Sequence, residues 1–298
     1  MKAPLKHFLS IPIYILFLPL VIALKVMAIL SHEVTANALT IIQRFFSSMR
    51  RQATVNIGGR SISIVTHTNS RISNWRHATI ESKEPLLLPW LQNLRFGTVL
   101  IDVGANIGLV SILHCKLNSS NRALCVEPSP FNLRLLALNI FANNISEQVA
   151  VIQNPLSNSM QLANIEFRTT EEGGAMHVFQ SSNSGNKLNF VTTSIDNVFE
   201  TIKSDCDSDI AIKIDVDGAE LEVLKGAIKT LRLDKVTNLY IEVDFTEPTK
   251  ANTILNLIEQ EANFVCTSHE KSDLNNLLRD SCAVSNLTWR KRQNTLAH

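Results

Sequence analysis

The chain has 298 residues, 45% of them apolar, and its 28 basic and 27 acidic side chains leave a net formal charge of +1. That length implies one large domain with extensions, or two domains, with enough apolar residues for a sizeable core. The near-neutral balance excludes nucleic-acid binding through a broad basic field. Five scattered cysteines (Cys115, Cys125, Cys206, Cys266, Cys282) show no C-x-x-C pair and no zinc spacing, and read as buried thiols in a reducing compartment rather than a disulfide scaffold.

Phe8 to Leu30 is almost wholly apolar, broken only by Lys25, Pro12 and Pro19, and follows Lys2, Lys6 and His7. About 20 apolar residues suffice to span a bilayer, and the basic flank would hold the N-terminus in the cytoplasm. A cleaved signal peptide lacks a clean A-x-A site here. A third reading is an interfacial or core helix with Lys25 snorkelling at its end. A single span would carry the rest of the chain away from the cytoplasm, against its unpaired cysteines. The expectation is therefore membrane association through residues 8–30 as a shallow anchor, with the catalytic part in the cytoplasm.

Glu33 to Arg51 reads as a helix with Leu39, Ile42, Phe45 and Phe46 on its apolar face, and with Arg44, Arg50 and Arg51 near lipid headgroups or simply solvated at its end. Thr54 to Thr66 alternates around Gly58-Gly59, a β-hairpin pattern. Asn69 to Pro89 is a polar connector, and Leu86 to Leu94 a short helix. Strands are then expected at Thr98–Val103, Ala123–Glu127, Gln148–Gln153, Ile210–Asp215, Asn238–Asp244, Phe264–Thr267 and Ala283–Arg290, with added strands at Leu162–Arg168 and Lys187–Thr193. Helices fall between them at Leu109–Leu117, Pro130–Asn143, Ser194–Lys203, Ala219–Leu231 and Lys250–Glu261. Alternating β and α elements of this length predict an α/β fold, a mostly parallel sheet with helices on both faces. The organisation expected is residues 1–31 as an apolar segment, 32–95 as helix, hairpin and connector, and 96–298 as the catalytic domain.

Two strand ends carry the chemistry. Val99-Leu100-Ile101-Asp102-Val103 runs into Gly104-Ala105-Asn106-Ile107-Gly108 and then a helix. Glycines there let backbone approach a ligand, and a helix N-terminus offers unpaired N–H groups. A second acid, Glu127, ends the next strand, where it can bond ribose hydroxyls. The turn is D-x-G-x-N-x-G, not the G-x-G-x-x-G of dinucleotide sites, and reads as an S-adenosylmethionine site. The second motif is Ile210-Ala211-Ile212-Lys213-Ile214-Asp215-Val216-Asp217-Gly218-Ala219-Glu220. Asp215 stands at a carboxyl strand end, where ligands sit. Asp217 reads as a helix N-cap with Glu220 closing a capping box.

With Trp75-Arg76, Lys83-Glu84-Pro85, Glu127-Pro128-Ser129, Asn132, Leu138-Asn139, Ile195-Asp196, Glu222-Val223-Leu224-Lys225-Gly226-Ala227 and Tyr240-Ile241-Glu242, these segments resemble the FkbM family of S-adenosylmethionine-dependent methyltransferases over about residues 75–290. The resemblance implies a Rossmann-like seven-stranded sheet whose last strand is antiparallel, and methyl transfer, usually to a hydroxyl oxygen of a sugar, lipid or other small molecule. Cofactor contacts are then expected at Asp102, Gly104, Ala105, Asn106, Gly108, Glu127 and Pro128. Asp215 is the first candidate for the base that an alcohol acceptor needs, with Lys213 beside it and His177 reaching from the segment after Gly173-Gly174. Asp215, Asp217, Glu242 and Asp244 offer oxygens suited to magnesium, but such acids also serve without metal, and no metal is assigned. The competing readings are a NAD-type oxidoreductase, which would want a proton donor such as Tyr with Lys nearby where the only tyrosines are Tyr14 and Tyr240, and a membrane-tethered binding protein without turnover.

Overall fold

A computed structural model describes residues 17–26, 29, 31–48, 51–66, 71–175, 178–179, 187–202, 208–280 and 283–292. The chain divides into two compact units, Met1–Arg51 and Gln52–His298.

The first unit holds helix α1 (residues 17–26) and α2 (His32–Ser48). Ser31 starts α2, its Oγ accepting the Val34 N–H. On α1 the large side chains Phe17, Leu18, Leu20, Val21, Ile22 and Val26 are exposed. Among the described residues no helix is long and apolar enough to cross a membrane. Residues 8–16 lie outside the described residues, as do the side chains of Arg44, Phe45, Phe46, Arg50 and Arg51. Leu39, on the expected apolar face, is exposed.

The second unit opens with the hairpin β1 (Arg51–Ile57) and β2 (Arg60–Thr66), turning at Gly58-Gly59. Helices α3 (Arg71–Lys83) and α4 (Leu87–Gln92) follow. The α3 segment differs from the expected connector. It is polar and nearly without an apolar stripe, so hydrophobic periodicity had nothing to register.

The main sheet contains β3 (Val99–Val103), β4 (Arg122–Val126), β5 (Val149–Ile152), β9 (Ile210–Ile214), β10 (Val236–Asp244), β11 (Phe264–Cys266) and β12 (Val284–Lys291), in spatial order β11-β12-β10-β9-β3-β4-β5. Strands β10, β9, β3, β4 and β5 run parallel. The last strand in the chain, β12, is antiparallel to both β10 and β11. A small antiparallel sheet, β7-β6-β8, is built from β6 (Leu162–Glu166), β7 (Val178–Phe179) and β8 (Lys187–Val191).

Strand alternation sorts the core into two layers. Ile101, Val103, Leu124, Val126, Ile212, Ile214, Leu239 and Ile241 face one layer. It is closed by α7 (Ile195–Ile202), α8 (Glu220–Lys225), α9 (Ile228–Leu231), α10 (Pro248–Asn256) and α11 (Lys271–Asp280). Leu100, Ala123, Cys125, Ala211 and Tyr240 face the other, closed by the hairpin, α4, α5 (Leu109–Leu117) and α6 (Pro130–Ala142). All five residues of β9 are buried, which makes it the spine of the sheet. The hairpin is pinned to α6 by polar side chains. Asn143 Oδ1 accepts the Ser63 N–H and Asn139 Oδ1 the Val65 N–H. Helix α11 goes beyond the sequence expectation; it lays Leu274 on the core with Leu277 and Leu278 partly buried beside it.

Candidate active site

A cavity of about 600 Å³ opens over the carboxyl ends of β3, β4, β9 and β10 and is roofed by α3. That size suits a cofactor and a small acceptor together.

Its first half is the turn after β3. Gly104 and Ala105 both donate their N–H to Val126 O at 3.0 Å, which bends the chain across the end of β4. Gly104 has φ 82°, and a β-carbon there would stand 2.0 Å from the carbonyl oxygen of Asp215. The glycine is thus required by backbone packing against β9. Asn106 also has positive φ, and its N–H reaches Glu127 Oε2 at 2.8 Å. The other Glu127 oxygen accepts the Ser129 N–H at 2.8 Å. Two backbone donors, with the Asn132 side chain beside them, therefore fix the carboxylate, which still lines the cavity. Burial pushes the Glu127 carboxyl up to about 7 against those hydrogen bonds. Asn106 Nδ2 and Asn132 Nδ2 both donate to Gly174 O, while Asn106 Oδ1 is buried with no partner. Ala105 and Pro128 also line this half.

Two expected cofactor residues are absent from the wall. Asp102 is fully buried one level below, accepting Ser111 Oγ at 2.7 Å with Lys213 Nζ at 3.9 Å. Inward alternation on β3 turns it into the core. Gly108 caps α5 in the left-handed region and faces α6, where a β-carbon would meet Leu136 Cδ1 at 2.5 Å. Its role is helix packing.

The second half follows from strand register. Asp102 pairs with Lys213, and Lys213 with Tyr240, so the three lie side by side on one face. Lys213 is 2% exposed and bonds Asp215 Oδ2 at 3.0 Å. Burial opposes its charge, but Asp215, Asp102 and Glu84 hold it protonated above the usual lysine range. Burial would raise Asp215, yet Lys213, with Arg76 and Lys83 beyond it, keeps that carboxyl below its usual range. A carboxylate so paired is a poor proton acceptor, and a lysine so held is no base at all. Tyr240 is buried, its hydroxyl donating to Glu84 Oε2 at 3.4 Å, and burial raises its pKa. It is unsuited to the proton donation that the oxidoreductase reading wanted; Tyr14 lies outside the described residues.

Asp217 is not a helix cap. It has φ 49°, Ala219 occupies the N-cap position, and no side chain caps α8. Glu220 Oε1 instead accepts the Gly218 N–H at 2.9 Å, and Asp217 lines the cavity. The left-handed Asp217-Gly218 pair delays the helix by two residues. His177 lies outside the described residues, as do Cys206 and Cys282. Cys115, Cys125 and Cys266 are free thiols. Among the described residues no group of three or more His, Cys, Asp or Glu side chains is arranged to hold a metal ion.

The roof escaped sequence reasoning as a unit. Ile72, Arg76, Thr79 and Lys83 line the cavity at helical spacing. Arg76 Nε donates to Gly173 O, and the Ile72 N–H to Glu171 Oε1. Gly173 in turn donates its N–H to Asn132 Oδ1 at 2.9 Å. One strap thus joins α3 to the cofactor-side turn.

The chain is 25% identical over 178 residues to the methyltransferase sdnD of Sordaria araneosa, covering 51% of this chain and 68% of that protein. Among solved structures it is similar to an O-methyltransferase from Bacillus cereus in complex with SAH (TM-score 0.43, 13% identity, covering 74% of this chain and 87% of that one). It is also similar to an rRNA methylase from Streptococcus thermophilus (TM-score 0.41, 10% identity, covering 70% and 95%). Neither structural likeness bears on the acceptor. The methyltransferase FkbM domain model matches residues 102–266, more than half of the chain and both strand-end motifs, and the chain belongs to the FkbM methyltransferase family.

Proposed function

We propose that the chain transfers a methyl group from S-adenosylmethionine to a hydroxyl oxygen of a small-molecule, glycan or lipid acceptor. The observation that carries this reading is the Glu127 carboxylate, pinned by the Ser129 and Asn106 N–H groups at the cavity wall. That is a ready acceptor for two vicinal ribose hydroxyls. The orphaned Asn106 Oδ1 suits a further donor of the cofactor. Gly104, Ala105 and Pro128 offer flat wall for its apolar parts. Asp102 and Lys213 support the site from below, through the contacts described above.

S-adenosylmethionine, when bound, supplies an electrophilic methyl group on a sulfonium. The protein's part is mostly orientation, since an in-line displacement gains its rate from aligned partners. Trp75, Arg76 and Lys83 line the roof of the cavity. Asp215, ionised and lining the cavity, would favour a positively charged sulfonium there.

The test is transfer of label from methyl-labelled S-adenosylmethionine into fractionated cell extract. A labelled product that is stable to mild alkali but releases labelled methyl iodide in hydriodic acid, as a methyl ether does, supports the proposal. Label released by alkali (an ester), alkali-stable label that gives no methyl iodide (nitrogen or carbon methylation), or no transfer at all contradicts it.

We also propose that α1 rests on a membrane surface, because its large apolar side chains are exposed and Lys25 interrupts the apolar run near its end. Flotation of the full chain with anionic vesicles, lost on deletion of residues 1–31, is the expected outcome. Equal flotation of both forms contradicts it.

A further inference from the structure

Among the acids of the cavity, Glu242 is set apart by having nothing to hold. Glu127 is fixed by two backbone N–H groups, Asp215 by Lys213 and Glu84 by Tyr240. Among the described residues the Glu242 carboxylate makes no hydrogen bond or ion pair, and Asp217 does not share that freedom. Yet Glu242 lines the cavity and is half-buried.

Its position follows from register. The β9–β10 pairing runs from Lys213↔Tyr240 to Ile214↔Ile241, and one more step sets Glu242 alongside Asp215 on the same face. On its other side Glu242 pairs with Asn286 of β12. Across the sheet end the order is therefore Glu127 on β4, Gly104 on β3, Asp215 on β9, Glu242 on β10 and Asn286 on β12. Glu242 lies two strands beyond the Gly104 turn, where an acceptor would sit against a cofactor held by Glu127.

Resting on the proposed methyl transfer, we infer that Glu242 is the catalytic base, and that Asn286 beside it orients the acceptor hydroxyl. As the methyl–sulfur bond breaks with its electron pair kept by sulfur, the methyl–oxygen bond forms. The hydroxyl proton passes to the Glu242 carboxylate, so charge and atoms balance. Lys213 keeps the neighbouring Asp215 out of that role.

The electrostatics agree. Burial pushes the Glu242 carboxyl up to about 7, helped by Asp215 of β9, Glu220 of α8 and Asp217 of the intervening turn, and opposed by Lys213. A base with that value works near neutral pH. The same shift has a sign for stability. A carboxyl raised on folding favours the fold below its unfolded value and loses that contribution as pH rises through about 7.

The experiment compares the full chain with E242Q and E242D, using labelled S-adenosylmethionine and cell extract for transfer, calorimetry for cofactor binding and melting for stability. E242Q should bind S-adenosylmethionine within about twofold of the parent, transfer at least about 100-fold more slowly, and lose the rise in rate between pH 6 and 8. E242D should recover part of the rate. E242Q should also melt higher than the parent at pH 8 and level with it at pH 5, a readout independent of turnover. If E242Q transfers within about threefold of the parent with the same pH profile, or loses cofactor binding, Glu242 is not the base although the methyl-transfer reading stands. If the parent chain itself binds no S-adenosylmethionine, that reading fails and the inference with it.

Discussion

Gly104 and Asp215 are in backbone contact: a β-carbon on the first would come within 2.0 Å of the carbonyl oxygen of the second. The turn of the cofactor half and the acidic end of β9 are thus one packed unit, and Asp215 N–H bonding to Val103 O at 3.1 Å closes it. A side chain at 104 disturbs the sheet end before it meets any ligand. Gly104→Ala should cost about 1–2 kcal/mol from its left-handed backbone alone, and more from the contact. The expected outcome is a melting temperature lower by at least about 3 °C together with weaker cofactor binding. A variant that binds poorly but melts like the parent would show that the glycine serves the ligand only.

Lys213 neutralises three buried or half-buried acids at once. Lys213→Met would leave Asp102, Asp215 and Glu84 facing one another without a cation. Breaking such a buried set by removing one partner costs about 3–5 kcal/mol. The loss should be larger at pH 8 than at pH 5, because acid protonates the orphaned carboxyls, and Asp215→Asn in the same chain should restore part of it. Chemical denaturation at the two pH values measures this. Equal loss at both would mean that Lys213 contributes packing rather than charge.

Asp217 holds a left-handed backbone conformation without capping α8. Comparing Asp217→Gly with Asp217→Ala removes the same side-chain contacts and isolates the backbone. The glycine variant should be more stable by about 1 kcal/mol. Equal stability of the two, by denaturant melts, would argue that the turn relaxes when Asp217 is replaced.

Glu127 should give cofactor binding a pH dependence. Its carboxyl, raised to about 7 by burial, must be ionised to accept two hydroxyl donors. Affinity for S-adenosylmethionine should be constant above about pH 8 and fall towards tenfold per pH unit well below 7. Glu127→Gln should flatten that profile. A flat profile in the parent chain would mean that the cofactor does not report on this carboxyl.

What could be read from the chain was whatever lies within one strand and its following turn. Asp102, Gly104 and Glu127 sit at strand ends marked by apolar runs and glycines, so the sheet and the rim of its cavity are legible. The reason for each residue was less so. Asp102 reads as a ligand contact but alternates inward to Ser111, and Gly108 looks at Leu136 rather than the cavity. Whether a glycine spares room for a ligand or for a neighbour depends on partners far away in sequence. The α3 roof was hidden because it is cavity-facing and polar, with Ile72, Arg76, Thr79 and Lys83 in helical register but no apolar stripe. Glu242 looked like any strand-end acid until the pairing of β10 with β9 brought it beside Asp215.

The most direct test of the account is calorimetric titration of S-adenosylmethionine into the parent chain and into Glu127→Ala at pH 8, with NAD as the comparison ligand. Loss of a charged hydrogen-bond partner costs about 1.5–3 kcal/mol, so the variant should bind S-adenosylmethionine roughly ten- to a hundredfold more weakly. NAD should give no binding heat with either. Binding of NAD but not S-adenosylmethionine, or equal affinity in parent and variant, would contradict it.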